Sequence, residues 1–116
     1  MPDDSSDHAL PLRPAVYHIL LSLAGGDRHG LGIADHVERV SEGSLELGPG
    51  TLYRSLSEMA ESGLIDAVPA PSPDADPRRK YYSITPRGRE LLARETERLQ
   101  RLVAAARARG ALAENA

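Results

Sequence analysis

Basic side chains are concentrated in one short segment, where Arg78, Arg79 and Lys80 follow one another. Two more arginines, Arg87 and Arg89, come shortly after them. Guanidinium and ammonium groups neutralise phosphate oxygens and donate hydrogen bonds to them, so a cluster of such groups can follow a nucleic-acid backbone. The cluster therefore predicts contact with phosphate groups.

A second set of polar side chains lies on a predicted helix that begins at Pro49. Gly48 suits the N-cap, and Pro49 suits the first helical position, where its missing N–H has no intrahelical partner in any case. One face, which we expect to be buried, carries Leu52, Leu56, Met59, Ala60 and Gly63. The opposite face carries Thr51, Arg54, Ser57, Glu58 and Glu61. An arginine placed there can bind guanine in the DNA major groove, although the stripe alone is more typical of an ordinary surface helix.

The segments before Pro49 predict two further helices. Apolar residues recur at helical spacing over 12–24, before the breaker Gly25-Gly26. After a polar turn at 27–30, a second helix is predicted over 31–40, with the buried residues Leu31, Ile33, Ala34, Val37 and Val40. A turn at 41–44 then leads to the third helix. This order is that of helix-turn-helix proteins.

The segments after this third helix predict a small β-hairpin. Strands are expected over 64–68 and 79–85, with the inward residues Ile65, Val68, Tyr82 and Ile84. Four prolines between 69 and 77 cannot donate backbone hydrogen bonds, so that segment is expected to be a loop. The fold class is therefore mainly α with a small β-hairpin, in the order of a winged helix-turn-helix domain.

A long last helix is predicted over 86–109, with Thr85 as N-cap and Gly110 as its stop. At 1.5 Å per residue it would be about 35 Å long, more than a small winged-helix core can cover. Its apolar stripe predicts dimerisation through Leu91, Leu92, Thr96, Leu99, Leu102, Val103 and Ala106. The alternative is a monomer whose last helix folds back on the first.

Four blocks of this sequence resemble the PadR-like transcriptional regulators in order and spacing. They are 29–34, 49–53, 61–65 and 78–85, and the resemblance extends from Leu12 to about Leu102. It implies a winged-helix domain with an added C-terminal dimerisation helix, which binds operator DNA as a homodimer and usually represses. Three residues depart from the family pattern. The family usually has an aromatic residue in place of Leu31, often serine in place of Gly48 and commonly proline in place of Arg54. A base preference therefore does not carry over.

Together, the residues and the resemblance define the expected sites and domains. The expected DNA contacts are His29, Pro49, Gly50, Thr51, Tyr53, Arg54, Ser57, Arg78, Arg79 and Lys80. We expect a disordered acidic tail over 1–8, a winged helix-turn-helix domain over 9–85, the dimerisation helix over 86–109 and a flexible tail over 110–116. The predicted function is that of a sequence-specific repressor acting as a homodimer on a palindromic operator. The competing interpretation is a protein-interaction module without DNA binding, supported by Glu58, Glu61, Asp74 and Asp76 near the same face.

Composition limits the other classes of function. The chain of 116 residues has a net charge of −3, yet residues 9–109 carry 14 basic and 13 acidic side chains, so DNA binding must come from a local patch. It has no cysteine and no apolar N-terminal run, which favours a cytoplasmic protein without a membrane contact. The four histidines have no repeated ligand spacing and no nucleophile motif is present, so we expect no metal, no cofactor and no enzyme. The resemblance leaves open a small apolar effector between subunits.

Overall fold

The computed structural model describes residues 10–112, and the predicted tail over 1–8 lies outside them, as does the end of the tail over 110–116. The elements are α1 (Pro14–Ala24), β1 (Arg28–His29), α2 (Gly30–Val40), α3 (Pro49–Glu61), β2 (Ile65–Val68), β3 (Tyr81–Ile84) and α4 (Pro86–Ala108). Four helices and a small antiparallel sheet confirm the winged helix-turn-helix fold class. Within residues 10–112, none of the helices has the length and hydropathy of a membrane-spanning helix.

α1 supplies the centre of the hydrophobic core. Ile19 and Leu20 are completely buried, and Leu23 nearly so. The helix begins at Pro14, two residues later than predicted, because the proline occupies its first turn. Leu12 nevertheless remains in the core from outside the helix.

α2 packs on α1 through a narrower stripe than predicted. Ile33 and Val37 are buried, as expected. The prediction that Leu31 and Val40 are buried was wrong, because they are 58% and 47% exposed. Leu31 lies on the opposite side of the helix from Ile33, and Val40 is the last helical residue.

The sheet has three strands, in the order β1-β3-β2. The predicted hairpin is confirmed, with Ile65 opposite Ile84 and Val68 opposite Tyr81. The polar turn predicted at 27–30 is instead the short strand β1, in which Arg28 pairs with Tyr82. Two residues are too few to show the alternation that identifies a strand in a sequence.

α3 has the predicted start and the predicted buried residues. Leu52, Leu56 and Met59 are each at most 2% exposed. Ala60 and Gly63, which were expected on the buried face, are exposed. Gly63 follows the helix with φ near 80°, the left-handed conformation in which a helix commonly ends.

The N-cap predicted for α4 is confirmed. The Thr85 hydroxyl accepts a hydrogen bond from Gly88 N at 3.0 Å and donates one to Gly63 O at 2.7 Å. The same residue therefore caps α4 and ties it to the end of α3.

Further along α4, contacts with α1 fix the direction of the long helix. The Tyr17 and Thr96 hydroxyls are 2.8 Å apart, and Leu12 N donates to the Glu95 carboxylate at 3.0 Å. Glu95 is only 2% exposed and also accepts from Arg98 at 2.6 and 2.9 Å. The buried Glu95 carboxylate therefore anchors the middle of α4 on the segment that precedes α1, and the Tyr17–Thr96 contact anchors it on α1 itself.

Candidate nucleic-acid interface

His29 lies where α2 begins and where the sheet reaches it. Its Nδ1 accepts a hydrogen bond from Gly32 N at 3.1 Å, so the side chain caps α2. Its ring lies edge-on to the Tyr81 ring, with centroids 5.5 Å apart. Burial, and then the positive charge of Arg79, lower the pKa of His29. The imidazole is therefore neutral at pH 7, and because Nδ1 accepts, the ring proton is on Nε2.

Arg79 joins this site from the segment just before β3. Its Nη1 is 3.4 Å from His29 Nδ1, across 50 residues of sequence. Arg79 is also half-exposed, with 40% of its side chain open to solvent. The predicted DNA-binding residues at the start of α2 and just before β3 therefore contact each other.

Tyr53 brings α3 to the same place. A Cβ built on Gly30 would lie 2.5 Å from the Tyr53 hydroxyl oxygen and 3.0 Å from Cε1. The ring thus covers Gly30, the residue that follows His29, while 47% of Tyr53 remains exposed. Burial is the main cause that raises the pKa of Tyr82, and the electrostatic interaction with Tyr53 raises it further. These contacts bring Tyr53, His29 and Arg79 together around the buried Gly30, and we call the three side chains the tyrosine–histidine–arginine surface.

The outer face of α3 is open beside this surface. Thr51, Arg54 and Ser57 are exposed, as the sequence predicts. Among residues 10–112, Arg54 has no hydrogen-bond or ion-pair partner. Pro49 and Gly50 form an exposed first turn, and a Cβ on Gly50 would meet nothing within 4 Å. Another molecule could therefore approach this backbone closely.

The wing segment before β3 combines its cations with one carboxylate. Arg78, Arg79 and Lys80 are all exposed. Asp76 accepts from Arg78 N at 3.0 Å and from Arg78 Nε at 3.2 Å, and it lies 3.6 Å from Arg79 Nε. The hydrogen bond from Arg78 N is the main cause that holds the pKa of Asp76 below its usual value. Lys80 has no such partner within the described part of the chain.

The residues predicted for dimerisation divide into two groups along α4. Leu92 is buried in the core of its own chain, Leu91 packs against that core, and the Thr96 hydroxyl pairs with Tyr17. Leu102 and Val103 are 53% and 42% exposed. Leu99 and Ala106, on the same stripe, are half-buried. The first half of the stripe is thus covered within the chain, and the second half is largely open.

Sequence reasoning missed two side chains that matter to this arrangement. Glu95 was overlooked because a glutamate on a polar helix is ordinarily exposed. Asp76 was named only as an acidic residue near the DNA-binding face, and its role as an acceptor was not predicted, although an aspartate two residues before Arg78 is a common way to accept a backbone N–H in a turn. Within residues 10–112, no three or more His, Asp or Glu residues are placed to hold a metal ion.

Comparison with known proteins identifies the family of this chain. The sequence profile of the Transcriptional regulator PadR-like family matches residues 19–94. A PadR family transcription regulator from Clostridium difficile is 26% identical, with a TM-score of 0.69 over 82% of this chain and 96% of that one. Bacillus subtilis PadR, solved in complex with operator DNA, is 21% identical, with a TM-score of 0.60 over 70% of this chain and 45% of that one, which shows a shared fold.

A curated relative is much longer than this chain. It is an uncharacterized 37.1 kDa protein in a transposon of Streptomyces fradiae, 36% identical over 84 residues. The match covers 72% of this chain but only 22% of the relative. The chain thus corresponds to about a fifth of that protein.

Proposed function

The chain belongs to the PadR-like family of transcriptional regulators, and from that premise we propose that it is a sequence-specific repressor that binds a palindromic operator as a homodimer. The observation that carries the proposal is the tyrosine–histidine–arginine surface. The His29–Arg79 contact and the packing of Tyr53 on Gly30 join three distant segments beside the open face of α3. A recognition helix flanked by cations is the arrangement that a major groove and its phosphates require.

Within this surface we assign different roles to α3 and to the wing. Arg54 is exposed and unpaired within residues 10–112, so its guanidinium can reach base edges. Thr51, Tyr53 and Ser57 flank it on the same helix. Arg79 is held at the rim by His29, which suits a phosphate contact. The open turn at 49–50 lets the backbone approach DNA.

The proposed homodimer rests on the second half of α4. Exposed Leu102 and Val103 lie beyond the point at which Glu95 and Thr96 tie the helix to α1. A second copy of α4 would cover this stripe, because like helices pack their apolar faces together. We therefore assign 9–85 to DNA binding and 86–109 to dimerisation, in a cytoplasmic protein.

The alternative function is binding to another protein rather than DNA. Glu58 and Glu61 are exposed on the last turn of α3, and Asp74 is exposed on the wing loop. These carboxylates would repel phosphate. The interpretation predicts binding to duplex DNA that is weak and insensitive to salt.

Two arginine variants test the proposed function. An operator is first recovered by selection from a random duplex pool, and Arg54→Ala and Arg79→Ala are titrated against it and against a scrambled duplex. Arg54→Ala should cost about 1–3 kcal/mol on the operator alone. Arg79→Ala should weaken both duplexes and lower the log–log salt slope by about 0.9 per subunit.

Arg94→Ala is the matched control, since Arg94 is exposed on α4. It should bind both duplexes as the wild type does. If the selection recovers no sequence and binding does not change between about 50 and 200 mM salt, the proposed DNA binding is refuted and the protein-interaction alternative is favoured.

A further inference from the structure

Asp76 is the acidic side chain that holds Arg78, and in part Arg79, in the free protein. Its Oδ1 accepts from both Arg78 N and Arg78 Nε, at 3.0 and 3.2 Å, and its Oδ2 accepts from Arg78 Nη2 at 3.4 Å. The guanidinium of Arg78 is therefore engaged on two of its nitrogens, although 89% of the side chain is exposed. Phosphate oxygens bind arginine through the same fork of donors.

Arg79 is divided between two partners. Its Nε is 3.6 Å from Asp76 Oδ2, while its Nη1 is 3.4 Å from His29 Nδ1. The contact with Asp76 is longer than the contacts that Arg78 makes. The carboxylate thus engages Arg78 more closely than it engages Arg79.

Asp76 is ionised at neutral pH, as an ordinary carboxyl group is, and the Arg78 N–H and guanidinium lower its pKa further. A fixed negative charge beside the wing repels an approaching phosphate. The ion pair itself is exposed, and exposed pairs are weak enough for another anion to displace.

We propose that Asp76 is an internal competitor for DNA phosphate, which holds Arg78 in the free protein and so limits the affinity of the wing for duplex DNA of any sequence. This inference rests on the proposed function. It adds a residue that sets absolute affinity without reading bases. Sequence discrimination stays with α3.

The expected effect follows from counterion release. If loss of the carboxylate frees Arg78 for one more phosphate, the log–log salt slope becomes steeper by about 0.9 per subunit. With the added contact contributing nothing at a reference of about 1 M salt, that slope corresponds at about 0.15 M to an affinity about five-fold higher per subunit. The factor should be the same for unrelated sequences, since phosphate carries no base identity.

The test compares Asp76→Asn with the wild type on two mixed-sequence 30-bp duplexes at several salt concentrations. Asparagine keeps the oxygen that accepts from Arg78 N and removes only the charge, so the turn is preserved. Asp74→Asn is the matched control, because Asp74 lies on the same loop without a partner among residues 10–112. It removes the same charge and should leave the salt slope unchanged.

A second comparison isolates Arg78. In an Arg78→Ala background, Asp76→Asn should change affinity by less than about two-fold, since the freed guanidinium is gone. The inference is overturned if Asp76→Asn binds like the wild type or like Asp74→Asn, if it strengthens one duplex only, or if its effect persists without Arg78. A wild type that binds both duplexes with a normal salt slope while Asp76→Asn has no effect refutes this inference alone. A wild type without salt-dependent binding refutes the proposed function as well.

Discussion

Gly88→Ala should destabilise the protein, although alanine is the better helix former. Gly88 lies in the first turn of α4, where the helix passes the chain that leaves α3. A Cβ built there would overlap the carbonyl oxygen of Leu64 and lie 2.9 Å from Ile84 Cγ1. The nearest obstacle is backbone, and that carbonyl already accepts a hydrogen bond from Thr85 N at 3.1 Å. Neither side can move without breaking the junction between α3, the sheet and α4.

The magnitude is a difference of two effects. Overpacking a closed site costs about 1–3 kcal/mol. Removing the backbone freedom of glycine returns about 0.5–1 kcal/mol. Because the clash involves backbone and the Thr85 cap, we expect the upper part of the first range and a net loss of about 2 kcal/mol.

Gly50→Ala is the matched control, with the opposite sign expected. Gly50 lies in the first turn of α3, and its Cβ would meet nothing within 4 Å. That variant should gain about 0.5 kcal/mol. Both are measured by urea unfolding at one protein concentration, since dimerisation would make stability depend on concentration. If Gly88→Ala is as stable as Gly50→Ala, the close approach of α4 to Leu64 does not exist.

Three further predictions concern α4 and the interface. Arg98, and then Leu12 N–H, hold the pKa of the Glu95 carboxyl below its usual 4.5, so this stabilisation is complete above that pH and is lost as pH falls through the lower folded-state pKa. The free energy of unfolding should therefore decrease between pH 7 and pH 3 by less in Glu95→Gln than in the wild type. Equal decreases in the two proteins would refute the role of the charge. Val103→Asp should raise the dimer dissociation constant at least about ten-fold by burying an unpaired carboxylate. Gln100 is also exposed, and Gln100→Asp should leave the dimer dissociation constant unchanged. A wild type that sediments as a monomer would contradict the proposed dimer. Gly30→Ala should displace the Tyr53 ring and cost about 1 kcal/mol of DNA affinity. Gly32→Ala, whose Cβ would be 3.6 Å from His29 Cε1, should bind normally, and equal binding by both variants would show that the Tyr53 position is unimportant.

The parts of the fold that the sequence predicts are those determined by local patterns. Apolar spacing identified Leu52, Leu56 and Met59 because a helix repeats its face within a few residues. Capping chemistry identified Thr85, since an N-cap acts on the adjacent turn. Leu31 was misplaced because apolar character alone does not specify which side of α2 meets α1.

The parts that the sequence did not predict depend on contacts between distant segments. β1 is a strand only because Arg28 and His29 meet β3, more than 50 positions later. Glu95 is buried only because Leu12 N and Arg98 satisfy its oxygens. Neither environment leaves a periodic signal, so pattern analysis treats these residues as ordinary polar ones.

The candidate interface explains how a chain with a net negative charge could bind DNA. The formal charges of residues 9–109 add up to only +1. This sum counts every charge alike, whether or not it is paired in the structure. In the structure, Asp76 neutralises Arg78 at the wing, whereas Arg54 on α3 remains unpaired within 10–112. Because Asp76 would compete with phosphate for Arg78, that cation should add less to DNA binding than its exposure indicates. The charge that matters is therefore the charge that stays available at the contact surface, and it differs from the net charge of the sequence.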